Sequence, residues 1–74
     1  MDKEINLSEK QITYKSYTSA YESIRNQFNS SYCCRVNKIE YAIGKENSLL
    51  EEYYIEVFDR DSNQLVGYLG EYNG

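Results

Sequence analysis

The chain has 74 residues, a net charge of −4, two cysteines and no histidine. This length indicates one small domain, residues 1–74, with a modest apolar core, and no apolar run approaches the ~18 residues that a membrane-spanning helix needs. The opening residues MDKEINLSEK lack the apolar region of a secretory signal, so we expect a cytoplasmic location, in a bacterium or in a phage-infected host.

The first fifteen residues carry weak structural signals. Residues 1–10 are mostly polar, and we expect them to fray, as we do residues 73–74. Ser8 with Gln11 forms a weak capping box that could begin a helix. Residues 11–15 instead alternate apolar and polar side chains as a strand does, and we favour a short edge strand or an extended arm over a helix.

A helix is predicted over residues 18–29. Its apolar side chains recur at the helical spacings of 4, 3 and 4 residues and form one stripe, made of Tyr17, Tyr21, Ile24 and Phe28. Ser19 with Glu22 is a candidate capping box, and Ser16 or Thr18 is an alternative N-cap. The short polar residues 29–31 predict the end of the helix.

Residues 32–43 follow the period of two that is typical of a strand. The apolar side chains change phase at Asn37 and Lys38, from Tyr32, Cys34 and Val36 to Ile39, Tyr41 and Ile43. A β-bulge that adds one residue at Asn37–Lys38 would produce this change, as would a tight turn between two short strands. We favour a single bulged strand, followed by a turn at residues 44–48.

Residues 51–72 predict a β-hairpin, because two runs rich in aromatic and β-branched residues flank the polar turn 59–63. An even-length loop would place Phe58 across from Leu65. One face of the hairpin would then carry Tyr53, Ile55, Val57, Val66 and Tyr68, and the other would carry Tyr54, Phe58, Leu65 and Leu69. Both faces are apolar, which is unusual for an antiparallel sheet with one side in water.

The predicted fold is α+β, with one α-helix packed on a three-stranded or four-stranded antiparallel sheet in the order (β)-α-β-β-β. The expected core joins the helix stripe to Ile39, Tyr41, Ile43, Ile55, Val57, Val66 and Tyr68. The second face of the hairpin would stay uncovered, since one helix covers only one side of a sheet.

The residues that could carry catalysis or bind metal are few. Adjacent Cys33 and Cys34, without histidine, cannot supply a zinc site within one chain. Asp59, Asp61 and Asn63 match the start of a calcium loop, but Gln64 and Gly70 stand where that loop requires Gly and Glu. Turn formation accounts for the same residues. We expect no enzymatic activity, no cofactor and no metal.

The charge is unevenly distributed. Residues 1–38 contain six Lys and Arg and four Asp and Glu, a net charge of +2, whereas residues 39–74 contain two and eight, a net charge of −6. An acidic, tyrosine-rich sheet surface suits a basic protein partner. We therefore favour a small acidic protein-binding module that uses Tyr54, Phe58, Leu65, Leu69, Glu51, Glu52, Glu56, Asp59 and Asp61.

One form of this module is an inhibitor that imitates nucleic acid on a basic host protein. A composition rich in residues with AT-rich codons, such as Tyr, Asn, Lys and Ile, suggests an AT-rich bacterium or its phage as the source, and the inhibitor would belong to a phage or another mobile element. The first alternative is a structural homodimer, formed through the uncovered sheet face or an edge strand. The second is nucleic-acid binding through the basic half, by Lys10, Lys15, Arg25, Arg35 and Lys38, although these charges are a weak footprint.

Overall fold

A computed structural model describes residues 2–44 and 48–72 of the chain. In it, one helix packs on a four-stranded antiparallel sheet, which confirms the predicted α+β class. The elements are β1 (Leu7–Ser8), α1 (Tyr17–Asn26), β2 (Tyr32–Ile43), β3 (Ser48–Asp59) and β4 (Leu65–Leu69). The strand order across the sheet is β1-β4-β3-β2. Among the described residues, no helix has the length and apolar character needed to cross a membrane.

The N-terminal segment is bonded to the rest of the fold. Leu7 and Ser8 pair with β4, and the N–H of Lys3 donates to the carbonyl of Phe28 over 2.8 Å. These bonds join Lys3, Leu7 and Ser8 to the rest of the fold. Met1 and residues 73–74 lie outside the described residues, and fraying of the two ends stays a prediction. Residues 11–15 form an extended arm, in which Tyr14 alone makes an isolated antiparallel bridge to Tyr53.

Helix α1 is capped by Ser16, one of the predicted N-caps. The Ser16 hydroxyl accepts a hydrogen bond from the N–H of Ser19 over 3.1 Å, so Ser19 lies inside the helix and does not cap it. The helix ends at Asn26, three residues earlier than expected. Gln27 has left the helical conformation and packs its side chain into the interior, where it is 4% exposed.

The buried side of α1 is not the predicted aromatic stripe. Ala20, Ser23 and Gln27 are buried, whereas Tyr17 and Phe28 are each 56% exposed and Tyr21 is 50% exposed. The stripe prediction was wrong for Tyr17, Tyr21 and Phe28, whereas Ile24 is partly buried and packs against the core as predicted. The small side chains of Ala20 and Ser23 occupy the buried side of the helix instead. Tyr14, from the arm, fills the space that larger helix residues would occupy, and it is buried.

Strands β2 and β3 form a long, regular hairpin. Their residues pair without interruption from Tyr32–Asp59 to Ile43–Ser48. The single strand is confirmed, but the bulge predicted at Asn37–Lys38 is absent from this register. The phase change reflects apolar side chains that change sides: Cys34 and Val36 face the helix, while Ile39 and Tyr41 point the other way.

The bulge occurs in β4 instead. Phe58 pairs with Leu65, as predicted, but Val57 pairs with Gly67, so Val66 is an extra residue. One inserted residue reverses which side of the sheet the rest of the strand faces. Leu69 therefore joins the helix side and is fully buried, which corrects its predicted place on the uncovered face.

The same bulge removes two residues from the predicted core. Val66 is 45% exposed, and Tyr68 pairs with Glu56 on the side away from the helix. The core consists of Tyr14, Ala20, Ile55, Val57 and Leu69. Tyr41 is 40% exposed and Ile39 half-buried, and neither belongs to this core; the side chain of Ile43 lies outside the described residues.

Candidate functional site

The sheet side opposite α1 is the candidate functional surface, and we call it the uncovered face. The helix, Ile5 of the N-terminal segment and Ile12 of the arm all pack on the other side, against the core. The register assigns the following residues to the uncovered face: Cys33, Arg35, Asn37, Ile39 and Tyr41 on β2, Leu50, Glu52, Tyr54, Glu56 and Phe58 on β3, and Leu65 and Tyr68 on β4.

Aromatic and apolar side chains form the centre of this face. The rings of Tyr54 and Tyr68 meet edge to face, with centroids 6.0 Å apart and an interplanar angle of 62°. Phe58 lies directly across from Leu65, which is 46% exposed. Three of the four predicted anchors thus share the face, and Leu69 does not. Tyr68 was missed because only the β4 bulge brings it to this side.

The predicted acidic rim is divided among three places. Glu52 and Glu56 lie on the uncovered face, and Glu56 accepts a hydrogen bond from the side-chain amide of Asn37. Glu51 projects from the other side, where the Lys38 ammonium lies 3.7 Å from it and 2.8 Å from Glu40. The hydrogen bond to Glu40 is the main reason that the pKa of Lys38 is raised, and the negative charges of Glu40 and Glu51 raise it further.

Asp59 and Asp61 lie at the hairpin turn. A carboxylate oxygen of Asp59 accepts the N–H groups of Ser62 and Asp61 over 3.0 and 2.8 Å, and these bonds, that of Ser62 first, lower the pKa of Asp59. Asn63 closes the turn with a positive φ of 59°. Asp59 therefore organises the turn, and the described residues contain no group of three or more His, Cys, Asp or Glu side chains placed to hold a metal ion.

A buried polar cluster joins the helix to the end of β4. The Tyr14 hydroxyl donates to the carbonyl of Leu69 over 3.1 Å, and the Ser23 hydroxyl donates to that of Gly70 over 3.2 Å. The amide nitrogen of Gln27 donates to Ser23 and Gly70, and its oxygen accepts the N–H of Asn6 over 2.7 Å. The polar atoms of this cluster bond one another, so it positions the helix and presents no free reactive group.

A cleft of about 580 Å³ opens beside this cluster, between the N-terminal segment and the end of α1. Its lining is polar and mixed in charge: Lys3, Glu4, Ile5, Asn6, Asn26, Gln27 and Tyr72. The amide of Gln27 is already bonded within the buried cluster, and the rest of the described lining supplies one ammonium, one carboxylate and no histidine or cysteine. The cleft lining does not indicate catalysis.

The two cysteines lie on opposite sides of β2. Cys33 is exposed on the uncovered face, across from Phe58, and Cys34 is half-buried on the helix side. Burial, followed by the neighbouring Cys33, raises the pKa of Cys34. The Cys34 thiol is therefore kept protonated and weakly nucleophilic.

The cations of the basic half are distributed over several elements. Arg25 is on the helix, Arg35 is on the uncovered face across from Glu56, and Lys38 faces the other way and binds Glu40. Lys10 and Lys15 lie in the segment between β1 and α1. Arg35 and Lys38 are therefore on opposite sides of the sheet.

Compared with known proteins, the chain matches no protein-family model, no curated protein and no solved structure. The functional conclusion therefore depends on the geometry of the uncovered face.

Proposed function

We propose that this chain is a small, non-enzymatic protein-binding module that docks on a basic partner protein through its uncovered face. The observation that supports this proposal most strongly is the grouping of Tyr54, Phe58, Tyr68 and Leu65 on the side that the helix leaves open. Tyr and Phe are enriched at protein interfaces because they offer a large contact area with few rotatable bonds.

The dimensions of the face suit a modest interface. The twelve-residue strands β2 and β3 each extend about 40 Å at ~3.3 Å per residue, and the five-residue strand β4 extends about 17 Å. At ~4.8 Å of width per strand, the area is roughly 460 Å², below the ~800 Å² per partner of a standard stable complex. We therefore expect a transient or moderately tight complex.

The charges of the face favour a basic partner. Glu52 and Glu56 flank Tyr54 on β3, and Arg35 is their only charged neighbour among the uncovered-face residues of β2. The two carboxylates are about 13 Å apart along the strand, whereas duplex DNA carries one charge per ~1.7 Å. This spacing supports recognition of cationic side chains more than close imitation of nucleic acid by an inhibitor.

Affinity capture from a lysate of the source cell tests the proposal. The wild-type chain should retain a basic protein that the double variant Tyr54→Ala, Phe58→Ala loses. The matched control is Tyr21→Ala with Phe28→Ala, because these two aromatics belong to α1 and the residues just after it, and they are more exposed than Tyr54 and Phe58. Recovery of no protein at low salt, or equal loss with both double variants, would contradict the proposal.

Charge reversal on the uncovered face tests whether its carboxylates attract the basic partner. Glu52→Lys with Glu56→Lys should slow association with the captured partner, because rim charges act mainly on the on-rate. Glu9→Lys with Glu22→Lys, on exposed positions elsewhere, is the control. An unchanged on-rate would exclude a contribution of these two carboxylates.

A second copy is the competing occupant of the uncovered face. Light scattering distinguishes the two occupants, since self-association through the face would give a dimer that Tyr54→Ala with Phe58→Ala converts to a monomer. That result would assign the aromatic group to a homodimer and contradict the proposed docking on another protein.

A further inference from the structure

The outer edge of β2 is the longest strand edge in the described sheet that pairs with no other strand. Tyr53 directs its N–H and C=O to Tyr14, away from β2. Its partner Lys38 must therefore direct its own backbone groups outward, because antiparallel pairs alternate between bonded and non-bonded positions. By the same alternation, Cys34, Val36, Glu40 and Ala42 also point their backbone groups away from β3.

We propose that this edge pairs with the β2 edge of a second copy, antiparallel and about a two-fold axis at Ile39. The two four-stranded sheets would join into one continuous sheet through the backbone of β2. In this register Lys38 lies across from Glu40 of the second copy, Ile39 across from Ile39, and Val36 across from Ala42. This inference uses the sheet edge and is independent of the proposed use of the uncovered face.

Charge complementarity selects the register. Between two β2 edges, residues whose backbone groups point outward must pair with each other. On β2 these are the even-numbered residues, so the numbers of any two paired residues add to an even sum. Axes at Arg35, Lys38 or Glu40 would place like charges directly opposite each other, which destabilises a sheet. Axes at Val36, Asn37 or Tyr41 place no charge opposite another. Only the axis at Ile39 pairs opposite charges, Lys38 with Glu40, and two-fold symmetry forms that pair twice.

The backbone hydrogen bonds of Tyr32 also favour an axis at Ile39 over one near the beginning of β2. The N–H of Tyr32 donates to the carbonyl of Asn29 over 3.1 Å, and its C=O accepts from the Arg60 guanidinium over 3.2 Å. Registers centred near the beginning of β2 would need these groups for pairing. An axis at Ile39 places the pairing beyond Tyr32 and leaves both bonds intact.

The second copy would also lie beside the part of the hairpin that is far from the helix. Tyr41 is 40% exposed near the far end of β2. With the axis at Ile39 it lies across from Asn37 of the second copy, next to the central pair of isoleucines. Non-hydrogen-bonded pairs such as Ile39–Ile39 bring their side chains closest together, so this centre adds a cross-strand contact between two β-branched residues.

Two single charge variants test the register. Lys38→Glu and Glu40→Lys should each weaken self-association in sedimentation experiments, because each places like charges opposite each other. An equimolar mixture of the two should restore the dimer, since every pair is then opposite in charge. The controls are the two single variants Lys10→Glu and Glu9→Lys, because they make the same changes of charge at exposed positions off the edge. Each control variant alone, and the two mixed, should dimerise like the wild type.

Cysteine cross-linking locates the axis directly. In a Cys33→Ser, Cys34→Ser background, Ile39→Cys should form a disulfide-linked dimer on mild oxidation, because a disulfide needs Cα atoms within ~7 Å. Arg35→Cys and Asn37→Cys should stay unlinked, since the axis at Ile39 holds the two copies of each residue far apart. A wild-type chain that stays monomeric at high concentration, or faster linking at residue 35 or 37, would overturn the proposal.

Discussion

At the residue scale, one amide group ties three parts of the chain together. Gln27 is buried, and its side chain bonds Asn6 in the N-terminal segment, Ser23 in the helix and Gly70 after β4. Burying an amide is favourable only when its donors and acceptor are paired. The fold meets this condition, so the cluster fixes where the short helix rests on the sheet.

We predict that Gln27→Leu lowers the free energy of unfolding by about 1–3 kcal/mol, the usual cost of leaving buried polar groups unpaired. The size of the side chain is nearly kept, but the N–H of Asn6 and the carbonyl of Gly70 each lose a bond. Urea unfolding gives the difference. Asn26→Leu is the matched control, one position earlier and exposed; an equal loss in both variants would show that the amide bonds are unimportant.

Tyr14 predicts how stability changes at high pH. Burial, and secondarily the Glu71 carboxylate, raise the pKa of Tyr14 above its ordinary value of 10.0, while the Ser23 hydrogen bond opposes them. The unfolded chain therefore loses this proton at lower pH than the folded chain. The stabilising contribution is complete below about pH 10 and is lost as the pH rises through the folded pKa.

Unfolding experiments between pH 9 and 12 measure this effect. Tyr14→Phe should have a lower stability near neutral pH but a shallower decline at alkaline pH than the wild type. Tyr21→Phe, at an exposed tyrosine of the helix, should keep the wild-type slope. If the slopes of wild type and Tyr14→Phe coincide, the folded protein does not protect the Tyr14 proton.

At the element scale, the pairing of β1 with β4 depends on a glycine next to the bulge. A Cβ atom at Gly67 would lie 2.8 Å from the carbonyl oxygen of Ser8, closer than real contacts of this kind. Strand β1 can therefore approach β4 only because residue 67 has no side chain.

We predict that Gly67→Ala displaces β1 while the β2–β3 hairpin remains. Hydrogen exchange should show faster exchange of backbone amides in residues 2–8, with little change in β3. Val66→Ala is the control, since it alters the exposed bulge residue but adds no atom against Ser8. Unchanged protection in residues 2–8 would show that β1 tolerates the extra methyl group.

The hairpin and the strand β2 could be predicted from the sequence because period-two patterns act over a few residues. The helix face and the bulge could not. Tyr17 and Tyr21 have the right spacing for a core stripe. The buried helix residues are instead Ala20 and Ser23, because the side chain of Tyr14, which precedes the helix in the chain, occupies the core beside them. Likewise, the one local sign of the bulge is Gly67, because a glycine inside a strand often accompanies a bulge, and this sign does not fix which residue is the extra one.

In the candidate site, residues on the regular strand β3 were predicted correctly, and residues that follow the bulge in β4 were not. Tyr54 and Phe58 lie on β3, whose alternation is regular, and both were placed on the correct face. Leu69 and Tyr68 follow the bulge, so their faces were exchanged.

At the scale of the whole molecule, the shape is elongated, with extents of 47 × 26 × 16 Å. The buried core lies at one end of the β2–β3 hairpin, around Ile55 and Val57, whereas Leu49 and Leu50 toward the other end are 63% and 39% exposed. Stability should therefore be uneven along the same two strands.

We predict that amides near the far end of the hairpin, in residues 40–43 and 48–51, exchange much faster than those of residues 54–58. The sample should be dilute, because pairing of β2 edges at high concentration would protect the far end. Hydrogen exchange followed by NMR gives the rates residue by residue. Uniform protection along β3 in dilute solution would contradict this gradient.

The arrangement of the two neighbouring thiols has a practical consequence for measurement. Cys33 lies in the open among the residues proposed to meet a partner, and its neighbour Cys34 is half-buried with a raised pKa. A maleimide fluorophore at neutral pH should therefore attach to Cys33 alone in the unmodified protein. The wild-type chain thus has a single attachment point for a dye. The emission of that dye would change when a partner binds to the uncovered face.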